Sequence, residues 1–133
     1  EYYWKGNCSK SGGLAANIGI HFFDMLSWIF GEFKSIELSK KSSDDISGIL
    51  RLERANVTWR LSTNKKNLPE SVIKSGLPAY RNIVIDGNSL EFSGGFADLH
   101  TKSYSEILNG NGYGINDAEP SIRIVNEISS WRE

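Results

Sequence analysis

Hydrophobic and polar positions change their period along this chain, and the change divides it into elements. Between Leu14 and Phe30 the apolar residues Leu14, Ile18, Phe22, Phe23, Met25, Leu26, Ile29 and Phe30 surround three polar ones, Asn17, His21 and Asp24. Spaced i, i+4 and i+7, these three fall on one face of a helix. The other faces are apolar nearly all round, so the pattern predicts a buried core helix. A buried polar stripe needs partners: either it is a satisfied structural network, or it lines a cleft where a ligand supplies some of the hydrogen bonds. Ser11-Gly12-Gly13 supplies a turn and cap before the helix, and Gly31 closes it.

From Phe33 the period falls to two. Ile36 and Leu38, then Ile46, Gly48, Leu50 and Leu52, then Val57, Trp59 and Leu61 alternate with polar residues, which reads as three strands with one wet face. Arg54-Ala55-Asn56 is short enough to join the second and third as a hairpin, so the pairing should be antiparallel. Asn64 to Pro78, with two of the three prolines, reads as a long loop available for a partner or substrate contact. Ile83-Val84-Ile85 and Leu90-Glu91-Phe92 flank Asp86-Gly87-Asn88, a hairpin expected to add two strands to the same sheet. Ser93-Gly94-Gly95 ends it, Leu99 to Asn109 is helical in character, and Gly110 to Gly114 is a break. Asp117-Ala118-Glu119-Pro120 should start a last helix carrying Ile122, Ile124, Val125 and Ile128, with Pro120 in its first turn. The predicted class is α+β: a mostly antiparallel, open-faced sheet with helices on one face.

Composition narrows the function. The 133 residues fit one domain spanning 1–133 and bury a core without staples. With 15 basic against 16 acidic residues and no long run of either sign, the chain offers no basic face for nucleic acid. Its single cysteine, Cys8, makes no internal disulfide, and no leader opens the chain, so a cytoplasmic location is expected. The apolar run from Ile18 to Phe30 is broken by His21 and Asp24 and falls short of the ~20 residues of a membrane span. The sequons Asn7-Cys8-Ser9 and Asn56-Val57-Thr58 would matter only in a secreted protein. Opening without Met on Glu1-Tyr2-Tyr3-Trp4, the chain reads as a domain excised from a longer protein.

Candidate chemistry is sparse. Gly110-x-Gly112-x-Gly114 follows a helix rather than a strand and lacks the dinucleotide spacing. A metal site would need ligands converging on His21 and Asp24, and His100 is the one other histidine. Cys8 and the serines sit in no nucleophile motif. There remains His21, whose neutral imidazole can take a proton from a hydroxyl near neutral pH, with Asp24 or another carboxylate orienting it; the competing reading is a satisfied core histidine.

Gly12-Gly13-x-x-x-Asn17-x-Gly19-x-His21-x-x-Asp24, followed by Trp28-Ile29-Phe30-Gly31, resembles the start of the C-terminal domain of the glucose-fructose oxidoreductase, inositol dehydrogenase and rhizopine-catabolism (Gfo/Idh/MocA) family. Tyr3-Trp4-Lys5-Gly6 and the segment Asp98 to Gly114 look like a narrower group, the WbpB/WlbA-type lipopolysaccharide-biosynthesis oxidases acting on UDP-N-acetylglucosaminuronic acid. The resemblance implies an N-terminal Rossmann domain, outside this chain, that binds NAD and supplies a lysine. The present chain would be the domain that holds the sugar nucleotide and forms the oligomer interface, inactive by itself and without cofactor-binding residues or a metal of its own.

By the same resemblance His21 is the catalytic histidine, taking the proton of the sugar's 3-hydroxyl as hydride passes to the nicotinamide. Asn17 stands where many members have Asp, and would hydrogen-bond a substrate hydroxyl as donor and acceptor. Asp24 would be orienting or structural. Trp4 and Lys5 either reach the sugar nucleotide or pack as a strand end. His100, Thr101, Ser103 and Tyr104 either line the substrate cleft or form a plain, self-capping helix start. The wet sheet face, with Trp59 and its neighbours, would form a homodimer or homotetramer, and 2-oxoglutarate is the implied hydride acceptor. Two alternatives stand beside this: a non-catalytic sugar-nucleotide-binding and oligomerisation module, and a family dehydrogenase acting on another sugar.

Overall fold

Strand β2 (Asp45–Leu52) is the most buried segment of the chain, because it lies between two partners. A computed structural model, which describes residues 8–94 and 98–131, pairs it antiparallel with β1 (Phe33–Lys41) on one side and β3 (Asn56–Ser62) on the other. In this register Ile36 faces Leu50 and Leu38 faces Gly48, while Gly48 faces Trp59 and Leu50 faces Val57. Period-two alternation therefore brings the apolar residues of all three strands to one face. Register shifts at Phe33/Ser35 and Leu38/Lys40 mark irregularities in β1.

The chain divides into two units, Glu1–Asn64 with Gly114–Glu133, and Lys65–Tyr113. In the first, α1 (Cys8–Ser11) leads toward a five-residue π-turn (Ala15–Gly19), and that turn, α2 (Ile20–Phe30) and α5 (Ile115–Ser130) cover the apolar sheet face. Phe23 and Leu26 from α2, Ile124 and Ile128 from α5, and Ile46, Leu50, Leu52 and Trp59 from the sheet form one buried cluster. Each such side chain contributes roughly 1.5–3 kcal/mol by leaving water. The Phe23 and Trp59 rings meet edge to face, centroids 5.1 Å apart and planes at 81°.

That contact corrects one expectation. Trp59 is 9% exposed and belongs to the core, not to a face presented to a partner; its position in the alternation places it with Leu61 and Val57, which pack against the same cluster. The opposite face of the sheet is polar. There Asp45, 2% exposed, accepts from Arg60 Nε (2.8 Å) and Nη2 (2.7 Å) and from Lys40 Nζ (2.6 Å). Those two cations, Arg60 first, hold its carboxyl well below the usual carboxylate range. Arg51 pairs with Glu37 on this face too.

The last helix starts earlier than its acidic residues suggest. Ile115 opens α5, the Gly114 N–H donates to Asp117 Oδ2 at 2.6 Å, and Pro120 lies inside the helix rather than in its first turn. At its other end Lys41 Nζ donates to the carbonyls of Ile128 (2.9 Å), Ser129 (3.2 Å) and Trp131 (3.2 Å). A cation thus caps the negative end of the helix dipole and ties it to β1.

The second unit contains a 3₁₀ turn (Lys65–Asn67), α3 (Glu70–Lys74), β4 (Asn82–Ile85), β5 (Asn88–Glu91) and α4 (Leu99–Leu108). The expected long loop therefore carries a helix, set off by Pro69 at its N-cap, and Val72 is buried beneath it. Asp86 (φ 50°) and Gly87 (φ 81°) form the tight turn of the hairpin. Its strands pair with each other, a two-stranded sheet separate from the three-stranded one. Among the described residues no helix is long and apolar enough to cross a membrane.

Candidate functional site

The helix bearing Asn17, His21 and Asp24 has two unlike faces. Ala15, Gly19, Phe23 and Leu26 point into the core, while Asn17, His21 and Asp24 are exposed, joined by Trp28 at 80% exposure. The spacing correctly unites the three polar residues on one face, but the helix is not buried all round and the stripe is not a buried network. One sheet face and α5 cover only one side of a cylinder, so Ile18, Trp28 and Ile29 are left facing out with the polar stripe. Trp28, four residues beyond Asp24, is a further member of this face.

Local geometry fixes how that face is presented. Gly12, at φ +75°, makes the turn between α1 and the helix; a Cβ there would stand 2.6 Å from Ala16 Cβ. Gly19 has ordinary helical angles, φ −59° and ψ −38°, and is required for a different reason: an added Cβ would lie 2.8 Å from Leu61 Cδ1 and 2.8 Å from Phe23 Cε2. The helix touches β3 at this point with no room for a side chain. Between the two glycines the backbone widens into the π-turn Ala15–Gly19, an arrangement that recurs at functional sites.

Asn17 lies within that π-turn. Its Nδ2 donates to the carbonyl of Ser11 at 2.9 Å and to that of Gly13 at 2.7 Å. The donor half of its expected substrate contact is thereby taken by the backbone, and Oδ1 alone remains to accept. Among the described residues the side chains of His21 and Asp24 have no hydrogen-bond partner, so no His21–Asp24 bond orients the imidazole. Open to solvent and without a partner among the described residues, His21 is available to a ligand rather than satisfied within the core.

His100, Thr101, Ser103 and Tyr104 all lie on α4 in the second unit, exposed. His100 and Tyr104, i and i+4, share a face. Asp98, at φ 59°, occupies the N-cap position without a side-chain cap bond. Trp4 and Lys5 lie outside the described residues. Gly110, Gly112 and Gly114 connect α4 to α5, not a strand to a helix, so they form no phosphate cradle. A cavity of about 450 Å³ opens beside the Gly12-Gly13 turn, lined also by Lys41, Ser42, Ile46 and Ser129; Asn17, His21, Asp24, His100, Thr101, Ser103 and Tyr104 are not in its lining.

Comparison with known proteins places this arrangement. Residues 1–59 match the oxidoreductase family, C-terminal alpha/beta domain, of the Gfo/Idh/MocA type. The WlbA (WbpB) dehydrogenase from Thermus thermophilus, solved in complex with NAD and alpha-ketoglutarate, matches 97% of this chain at 43% identity with a TM-score of 0.91. The same enzyme in complex with NAD and UDP-GlcNAcA matches 97% at 42% identity with a TM-score of 0.90. The chain spans about two fifths of those proteins, 42% and 41% of their lengths. With the glycine-rich turn, the exposed polar helix face and the antiparallel sheet all in place, the chain belongs to the Gfo/Idh/MocA oxidoreductase family, as its C-terminal domain.

Proposed function

We propose that this domain is the substrate-holding part of an NAD-dependent dehydrogenase that oxidises the 3-hydroxyl of UDP-N-acetylglucosaminuronic acid in lipopolysaccharide O-antigen biosynthesis. The observation that carries the reading is the exposed His21, without a partner among the described residues, on a helix face held by two close-fitting glycines. Its support is the likeness to a dehydrogenase solved with NAD and UDP-GlcNAcA, together with the expected match of Gly19, His21 and Asp24 to the family's pattern.

In this reading His21 accepts the proton of the sugar hydroxyl, for which a neutral imidazole near neutral pH is suited. Asn17 Oδ1 accepts from a neighbouring hydroxyl, and Asp24 contributes charge to the same face. Bound NAD supplies the hydride acceptor; the described residues contain no glycine-rich strand-to-helix turn for it, so its binding is assigned to the longer protein. Trp4, Lys5, His100, Thr101, Ser103 and Tyr104 are proposed to contact the sugar nucleotide, and 2-oxoglutarate to reoxidise the cofactor, as the complex of the related dehydrogenase with alpha-ketoglutarate suggests. The polar sheet face of Glu37, Arg51 and Thr58 is the proposed homodimer or homotetramer surface.

The test is NADH formation by the complete protein with UDP-N-acetylglucosaminuronic acid and 2-oxoglutarate each supplied or withheld, for wild type and His21→Asn. Sugar-dependent turnover, lost in a folded His21→Asn protein, supports the proposal. A folded, NAD-bound wild type that turns over no sugar nucleotide overturns it in favour of a binding module.

A further inference from the structure

We propose that Asn17 is a positioning residue for His21: its carboxamide nitrogen locks the turn from which the His21-bearing helix springs. The inference rests on the reading of His21 as base, and it concerns a different part of Asn17 from the one facing a ligand.

Both partners of Asn17 Nδ2, at 2.9 and 2.7 Å, are backbone carbonyl oxygens. An oxygen in that place would meet two acceptors with nothing to donate, so the side chain has one admissible orientation, and both amide hydrogens are spent. The two carbonyls belong to Ser11, the last residue of α1, and Gly13, the first residue of the next helical turn. Asn17 therefore bridges the Gly12 turn from one side to the other. A carboxylate of the same shape would be repelled by both carbonyls, so the choice of Asn over Asp has a structural cause here as well as a chemical consequence for the site.

The lock bears on His21 through the π-turn. π-turns are rare, and a regular α-helix is the relaxed alternative. At its last residue the turn is fixed by Gly19 against Leu61 and Phe23; at its middle residue, Asn17 ties it back to the carbonyls of Ser11 and Gly13 that precede it. His21 is the second residue of α2, immediately after the turn. Phe23 and Leu26 are fixed in the core, so relaxation of the π-turn is taken up by the residues before them, His21 among them. Such a shift leaves the fold intact and moves the imidazole.

The experiment compares wild type, Asn17→Ala, Asn17→Asp, His21→Asn and Asn17→Ala/His21→Asn in the complete protein, reading kcat, KM for the nucleotide sugar and amide hydrogen exchange. The expected result is faster exchange across residues 11–21 and kcat lowered by ~10-fold or more in both Asn17 variants, with KM within ~2-fold of wild type in Asn17→Asp, which keeps the acceptor oxygen, and raised in Asn17→Ala, which loses it. Asn17→Asp keeps an acceptor oxygen and loses both donors, so it separates the lock from a ligand contact. In the His21→Asn background Asn17→Ala should lower kcat no further, because a residue acting through His21 has nothing left to position. Raised KM with unchanged exchange, or faster exchange with unaltered kcat, overturns the proposal. If His21→Asn turns over normally, the base reading itself falls. That outcome is distinct from a failed lock, which unchanged exchange in Asn17→Ala reveals.

Discussion

Gly19→Ala sets two effects of opposite sign against each other, and the structure decides between them. Gly19 already has helical angles, φ −59° and ψ −38°, so alanine meets no backbone objection. Helix propensity alone predicts that the substitution stabilises by about 1 kcal/mol. Against this stands the contact: the new methyl would be 2.8 Å from Leu61 Cδ1, 2.8 Å from Phe23 Cε2 and 3.3 Å from Phe23 Cζ. Leu61 is only partly buried and its terminal methyl can swing aside. The Phe23 ring cannot follow, since it is 1% exposed and wedged edge-on against Trp59. Overpacking of this kind costs about 1–3 kcal/mol, and with a buried aromatic ring as the obstacle the upper half of that range applies. The expected net effect is a loss of about 1–2 kcal/mol after the propensity gain. Urea denaturation read at the midpoint, with unchanged slope, measures it. Removing the movable obstacle should recover part of the loss, so Gly19→Ala/Leu61→Ala should be more stable than the two single losses added together. A Gly19→Ala protein as stable as wild type or more so would refute the claim that the helix touches β3 without room for a Cβ.

Three further outcomes follow from named contacts. His21→Asn, at an exposed position, should leave stability within about 0.5 kcal/mol of wild type, while kcat in the complete protein falls by ~10²-fold or more; parallel melting and turnover measurements separate the two. Asp45 has its folded pKa depressed by Arg60 and Lys40, so its contribution is complete above the unfolded value of about 4 and is lost as pH falls from there through the lower folded value. Wild type should accordingly be more stable than Asp45→Asn at neutral pH, and melting curves should show the gap closing only as pH drops below about 4. Lys41→Met removes the cation from three carbonyls at the end of α5 while keeping the apolar stem. A loss of about 1 kcal/mol is expected, and faster amide exchange confined to the last turn of α5 would locate it.

Much of the fold was legible because sheet and helix periods are imposed by burial. Strands β1, β2 and β3 were readable from Ile36 to Leu61, since each buries one face and each alternates accordingly. The Asp86-Gly87 turn was readable because its positive φ values demand such residues. What the hairpin pairs with was not. Sheet membership depends on partners distant in sequence, and the strand residues Val84, Ile85 and Leu90 are exposed, leaving no face-specific pattern to read. Trp59 was misplaced toward a partner surface by its size and aromatic character, although its parity with Val57 and Leu61 already assigned it to the core side.

For the candidate site, the decisive limit lay in α2. Spacing alone placed Asn17, His21 and Asp24 together, yet it assigned Ile18 and Ile29 to the core because hydrophobicity counts residues without counting what is present to cover them. The covering surfaces, one sheet face and one helix, bury the stripe through Ala15, Gly19, Phe23 and Leu26, with Leu14 and Phe30 packed partly buried at its ends. An outward face that combines a tryptophan, an imidazole, a carboxylate and a carboxamide then has a chemical character that a core helix lacks. Its geometry is not a property of that face at all: it is set from behind, by the absent Cβ of Gly19, and from below, by the carbonyls that Asn17 holds. The residues most able to tune His21 are therefore ones that need not touch a substrate, and their effect should appear in kcat before it appears in KM.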